Sequence, residues 1–220
     1  MSTKKLYDTS QNKPLVILEI ANNHMGDLGH GKELIRTFAD AVSDYSDTFN
    51  FGMKFQFREL DTFIHPHHKG SDLKYVRRFE ETVLSSDDWL ELITLVKESG
   101  FALLATPFDE PSVEKCIRCD VDIIKIASCS LGDWPLIERV ALAEKPVIFS
   151  TAGSDILSID AMVAFFSNRG IPSSLMHCVG LYPTPGSDLN IGQVAFYKKR
   201  YPHIRVGYST HEDPASTVTG

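Results

Sequence analysis

Apolar residues recur along this chain in seven short runs, each separated from the next by a segment of helical periodicity or a polar loop. PLVILEIA is the first run, followed by FGMKFQF, FALLAT, VDIIKIAS, PVIFSTAG, PSSLMHCVG and HIRVGYSTH. Their lengths and their content of Val, Ile, Leu and Phe suit strands buried on both faces, the signature of parallel pairing under helices. Between the first two runs, Leu34, Ile35, Phe38, Ala41 and Val42 follow helical spacing and predict a helix over about His30 to Tyr45. Ser85-Ser86-Asp87-Asp88 opens the helix DWLELITLVKES, which Gly100 closes. Further helices are expected around Glu110 to Cys119, in LGDWPLIERVALAE, in SIDAMVAFFSNRG up to Gly170, and in NIGQVAFYKKRY. Arg58 to Leu84 is long, charged and rich in His, and reads as a covering loop with one short helix.

Alternation of strand and helix leaves two fold classes, an open doubly wound sheet and a (β/α)8 TIM-type barrel. No G-x-G-x-x-G follows the first run, and an open sheet gathers its functional groups at one switch point. Here polar groups end nearly every run: Glu19, Lys54 with Gln56, Thr106, Lys125 with Ser128, Ser150, and Ser209 with His211. That recurrence describes the catalytic face of a barrel, of which seven of eight strands are present in this chain. Residues 1–13 read as an N-terminal extension and 14–220 as one barrel domain, incomplete at its C-terminus.

With 220 residues and a net charge of -7, the chain has no overall basic field for nucleic acid or an anionic membrane. The N-terminus lacks an apolar signal segment, and the expected location is cytoplasmic. Four scattered cysteines suggest reduced thiols rather than a disulfide framework, and the Cys116-x-x-Cys119 pair reads as two small residues at a helix end. His65, His67 and His68 read as solvated loop residues.

Lys54 and Lys125 lie inside otherwise apolar strands, where an ammonium is costly unless an anion pairs it. Two such lysines imply a bound anion, or pairing with a carboxylate such as Glu19. Thr106, Ser128, Ser150 and Ser209 are each ordinary helix-cap residues, but four of them at strand ends beside two lysines suit a phosphorylated acid. Glu19, set among aliphatics, must be protonated, paired or metal-linked. His211 is placed to ligate a metal or to hydrogen-bond within a site.

ILEIANNHMGD, MKFQ, ATPFD, IIKIAS, PVIFSTAG, HCVGLYPTP and VGYSTHE, in this order, resemble the N-acetylneuraminate (sialic acid) synthase family, which includes legionaminate and pseudaminate synthases. The likeness runs from about Pro14 to His211. It implies a barrel enzyme that condenses phosphoenolpyruvate with an N-acylated amino-sugar aldehyde to give a nonulosonic acid and phosphate, using Mn2+ or Mg2+, as a homodimer. It implies catalytic roles for Glu19, Lys54 and Lys125, and substrate binding by Gln56, Thr106, Ser128, Ser150, Tyr182 and Ser209. Metal ligation falls to His211. Departures from the family pattern are Ser130, Gly180 and Thr210, and the second metal-binding His and the small C-terminal domain lie beyond the seventh strand. Glu212 or Asp213 could then supply the missing ligand. If the product ended at Gly220, poor catalysis would be expected. Two other readings stay open: a Schiff-base aldolase with Lys125 as nucleophile, and a catalytically silent barrel binding a phosphorylated ligand.

Overall fold

Strand β1 (Leu15–Ala21) leads through a tight turn into helix α1 (Leu28–Val42), and the computed structural model describes residues 13–212. Then come β2 (Asn50–Phe57), α2 (Leu60–Phe63), α3 (Lys74–Glu81), α4 (Ser86–Glu98), β3 (Ala102–Pro107) and α5 (Glu110–Arg118). The second half holds β4 (Ile123–Ile126), α6 (Trp134–Leu142), β5 (Val147–Ser150), α7 (Ile156–Ser167), β6 (Ser173–Cys178), α8 (Gly192–Arg200) and β7 (Arg205–Ser209). The expected elements are all present. Between Arg58 and Leu84 the structure adds a second short helix, α3, and a 3-10 turn at Pro66–His68.

The chain divides into two compact units between Ile123 and Ile124. In the first, β1 pairs β2 and β2 pairs β3, all parallel. Its core consists of Ile35 from α1, Met53 and Phe55 from β2, Leu92 and Val96 from α4, and Leu103 and Leu104 from β3. In the second, β4, β5, β6 and β7 pair in that order, again parallel, over Ile137, Phe149, Met162, Phe166 and Leu175. Each such side chain contributes roughly 1.5–3 kcal/mol on burial. Parallel neighbours need a crossover between them, and the helices supply it.

Register in the first unit matters for the site. Glu19 stands beside Lys54, and Gln56 beside Thr106. Gly52 allows this close approach, because a Cβ there would sit 2.5 Å from Leu104 Cδ1. Five of the helices start on a side-chain cap. Asp27, Asp109, Asp133 and Asp155 each accept a backbone N–H in the first turn of the following helix, and Ser85 with Asp88 forms a reciprocal capping box. Caps of this kind are worth about 1 kcal/mol each. Thr106, Ser128 and Ser150 therefore cap none of these helices, which removes the ordinary explanation for hydroxyls at those three positions.

Gly26 adopts φ +73, and a Cβ built on it would meet Glu81 O at 2.8 Å. The turn after β1 thus fits against the end of α3 only without a side chain. Gly26→Ala is expected to lower unfolding free energy by about 1–3 kcal/mol through the left-handed backbone alone, and more if Glu81 must move. Urea denaturation against the parent chain checks this.

Candidate active site

In the first unit Lys54 is 5% exposed, and its ammonium forms an ion pair with Glu19 and donates to Thr106 Oγ1 at 3.2 Å. The parallel register produces this trio, since neighbouring strands place side chains of one face side by side. At Lys54 the structure shows the alternative to a bound anion: Glu19 is the paired carboxylate. Glu19 is less enclosed than its aliphatic neighbours suggested, with a side chain 41% exposed. Its second role is local, as Oε1 accepts the Ala21 N–H at 3.0 Å where the β1–β2 register shifts. Gln56 accepts a hydrogen bond from Arg58 Nη2 at 2.8 Å.

In the second unit Lys125 is half-buried on β4. Ser128, in a 3-10 turn just after that strand, accepts the Ala152 N–H at 3.1 Å and so joins the loops after β4 and β5. Ser150 is fully buried, and its hydroxyl has no hydrogen-bond partner among the described residues. A buried hydroxyl without a partner costs on the order of 1–3 kcal/mol, which a hydrogen-bonding ligand would recover. Ser209 ends β7, in register with Cys178.

His211 lies just past β7. Its Nδ1 faces the Val179 carbonyl at 3.1 Å, and the Tyr182 ring lies 4.0 Å from the imidazole centroid to centroid. Donation from Nδ1 to a carbonyl leaves Nε2 as the electron-pair donor, the arrangement of a metal-ligating or proton-accepting imidazole. Cys178 Sγ also approaches Nδ1, at 3.8 Å. The 181–184 turn is tied to this position, because Thr184 donates its N–H to the His211 carbonyl at 2.9 Å.

Glu212 does not share that position. Its Oε1 accepts from Tyr208 OH at 2.6 Å, and the Tyr208 ring stacks on His177. Alternation along β7 puts Tyr208 on the face opposite Ser209. Of the Glu212 carboxylate, Oε1 is thus engaged by Tyr208, while Oε2 is buried without a hydrogen-bond partner among the described residues. Asp213, the other suggested ligand, lies outside the described residues. Among the described residues no three His, Cys, Asp or Glu side chains gather as a metal-binding group. His65, His67 and His68 are exposed, and His65 Nδ1 accepts the His67 N–H at 3.3 Å within their own 3-10 turn. Cys116 is buried in α5 with its thiol pushed well above the ordinary range by burial.

The chain also matches known proteins. The model of the NeuB family matches residues 51–219. The chain belongs to the NeuB family. A protein of unassigned function from Methanocaldococcus jannaschii is 34% identical over 89% of this chain and 55% of its own length. N-acetylneuraminate-9-phosphate synthase of Drosophila melanogaster is 29% identical over 90% of this chain and 54% of its own. A crystal structure from Chromobacterium violaceum, of a protein assigned to spore coat polysaccharide biosynthesis, superposes with a TM-score of 0.89 at 48% identity. That match covers 92% of this chain and 60% of the other. The chain thus spans little more than half the length of the curated relatives it matches. Its fold class is the TIM-type barrel expected from the sequence, represented by seven parallel strands with alternating helices.

One constellation had no signal in the sequence. A cavity of about 360 Å³ in the first unit is lined by Asn22, His24, Arg58, Trp89 and Lys115, among others. His24, 1% exposed, meets Trp89 edge-on at 5.4 Å and accepts the Gly26 N–H on Nδ1 at 3.1 Å. Burial, with a smaller contribution from His30, holds His24 down to about 4. Its folded pKa lies below the unfolded value, so the native state binds fewer protons in that interval. Stability from this group is complete above the unfolded value near pH 6.5 and declines as pH falls toward about 4. The decline amounts to a few kcal/mol at most. Denaturant titrations between those limits should show it, and His24→Gln should flatten the profile.

Proposed function

We propose that this chain carries the phosphoenolpyruvate-binding part of a nonulosonic acid synthase, condensing phosphoenolpyruvate with an N-acylated amino-sugar aldehyde. The observation that carries the reading is Lys54, a buried ammonium at a strand end bracketed by Glu19 and Thr106, in a chain of the NeuB family. The Drosophila relative, named for a sialic acid phosphate synthase, supports the reaction class. The caps add support, because the strand-end hydroxyls are not consumed in starting helices.

In this reading Glu19 pairs with Lys54 and orients it before substrate arrives. Arrival of an anionic substrate replaces part of that pairing, and Thr106 Oγ1 donates to the same anion. In the second unit, taken by itself, Ser128, Ser150 and Ser209 offer hydroxyls and Lys125 an ammonium of the same anion-holding kind. Such groups neutralise phosphate and carboxylate charge, and act most strongly where water is excluded. C3 of phosphoenolpyruvate forms the new carbon–carbon bond to the aldehyde carbon, whose oxygen takes a proton. Water adds at C2, and the C2–O bond to phosphate breaks, leaving a keto acid and inorganic phosphate. Gln56 and Tyr182 face the sugar.

A divalent cation, Mn2+ or Mg2+, belongs to the same proposal, with the oriented Nε2 of His211 as one of its ligands. Bound there, it supplies Lewis acidity toward the aldehyde oxygen. The homodimeric state and the cytoplasmic location are likewise part of this proposal; among the described residues no helix is long and apolar enough to cross a membrane.

The test is phosphate release from phosphoenolpyruvate with N-acetylmannosamine and related aldoses, in the presence of Mn2+. Turnover is expected, and Lys54→Met should lower it by roughly 10²–10³-fold, the scale for loss of an electrostatic contact to developing charge. Binding without release, across aldoses and metals, would replace the reading with a silent barrel. A borohydride-trapped pyruvate adduct on Lys125 would replace it with an aldolase. A separate expectation concerns Glu19→Gln, which leaves Lys54 as an uncompensated buried charge. Its melting temperature should fall, and phosphoenolpyruvate should restore more of the loss than an equal ionic strength of chloride does.

A further inference from the structure

Arg58 follows directly on β2, and its guanidinium is held in a box of three aromatic rings. The ring centroids of Phe108, Phe79 and Phe63 lie 3.9, 4.4 and 5.7 Å from it. Phe63 comes from α2, Phe79 from α3 and Phe108 from the turn after β3. The rings support one another, since Phe63 meets Phe79 at 5.8 Å and Phe108 at 6.2 Å, both edge-on. A guanidinium stacked in this way keeps its charge and loses most of its freedom. The backbone is fixed as well: Asp109 Oδ2 accepts the Glu59 N–H at 2.8 Å, and Phe108 donates its N–H to the Phe57 carbonyl at 3.1 Å.

What the box holds in place is a hydrogen bond, from Arg58 Nη2 to Gln56 Oε1 at 2.8 Å. A guanidinium has donors and no acceptor, so the amide atom that faces it must be the oxygen. The carboxamide is planar, and fixing Oε1 also fixes the direction of Nε2. Gln56 lies on the face of β2 that carries Lys54, with Thr106 beside it on β3. An unrestrained glutamine can turn its amide over and offer a donor or an acceptor at the same point. Gln56 cannot do so without setting its NH2 group against the Arg58 donors, and therefore keeps one orientation, in which the group left to meet a ligand is the donor.

We propose that Arg58 is a positioning residue, which locks Gln56 as a hydrogen-bond donor to an acceptor oxygen of the aldose, and that α2 and α3 serve the site by enclosing Arg58. The inference rests on the synthase reading, which sets Gln56 against the sugar. It assigns a task to the long segment after β2, whose two helices supply two of the three walls of the box.

Steady-state phosphate release, with phosphoenolpyruvate and N-acetylmannosamine varied in turn, separates the two substrates. Arg58→Met leaves an apolar chain among the rings and removes the donors. KM for the aldose should rise about 10-fold, the scale for one lost hydrogen bond, while KM for phosphoenolpyruvate stays at the parent value. Gln56→Glu keeps a partner for Arg58 but has no donor, and should raise the aldose KM as far. Because Arg58 acts through Gln56, adding Arg58→Met to Gln56→Met should cost nothing further, whereas independent contributions would multiply. An unchanged aldose KM in Arg58→Met, a parent-like aldose KM in Gln56→Glu, or multiplying effects in the double variant each overturn the proposal. Parallel rises in both KM values, as from a disturbed fold, overturn it too. Should Arg58→Met fail to fold, Phe79→Leu removes one wall of the box and leaves the guanidinium. Its aldose KM should rise and its phosphoenolpyruvate KM should not, and parent values for both refute the role. A parent chain that releases no phosphate overturns the synthase reading and this one with it; a parent that turns over, with Arg58 variants that match it, overturns this one alone.

Discussion

A charged ammonium buried in a parallel sheet governs the first unit. Lys54 sits in the middle of FGMKFQF among Met53 and Phe55, which are inaccessible to solvent. An isolated charge there would cost several kcal/mol. Three features make it tolerable: the β1–β2 register that brings Glu19 alongside, the β2–β3 register that brings Thr106 within hydrogen-bond distance, and Gly52, which lets Leu104 pack close to β2. The same features fix the ammonium at the end of the sheet, where the proposed anionic substrate would meet it. Folding and chemistry therefore make one demand on the register, and a one-residue slip would turn Lys54 into the helix layer.

The second unit solves a different problem. Its functional groups are mostly neutral, so burial is less costly and the constraints are geometric. Ser128 bridges to Ala152 N–H, Thr184 ties the 181–184 turn to His211, and Val179 O selects the imidazole tautomer. Fully buried Ser150 retains an unused hydroxyl. Helix starts are handled by Asp109, Asp133 and Asp155, so Thr106, Ser128 and Ser150 are not used as helix caps. Division of labour between carboxylate caps and hydroxyl donors is what distinguishes this sheet edge from an ordinary row of strand-to-helix junctions.

Strand and helix order was readable because apolar runs and capping residues are local signals, and a run such as VDIIKIAS has few alternatives. Ser85 with Asp88 even specifies a reciprocal cap. The strand-end residues were readable for the same reason, as a polar residue closing an apolar run stands out. Their partners were not. Whether Lys54 pairs with Glu19 or awaits an external anion depends on register, which periodicity leaves open. Nor did the sequence show that Glu212 accepts a hydrogen bond from Tyr208, four residues back along the chain.

By itself, then, the sequence determined the order of elements, the barrel class, the family and the residues that end the strands, all of which rest on neighbours along the chain. Tertiary structure alone decided that Glu19 neutralises Lys54, that His211 presents Nε2, and that Arg58 is enclosed by aromatic rings drawn from three separate segments, Phe63, Phe79 and Phe108. It also decided that Lys115, an unremarkable helix residue in sequence, faces a cavity with Trp89. The physical reason is common to all of these. Electrostatic and aromatic contacts act across a few ångströms of space, and residues tens of positions apart reach that separation only when the strands have paired and the helices have packed.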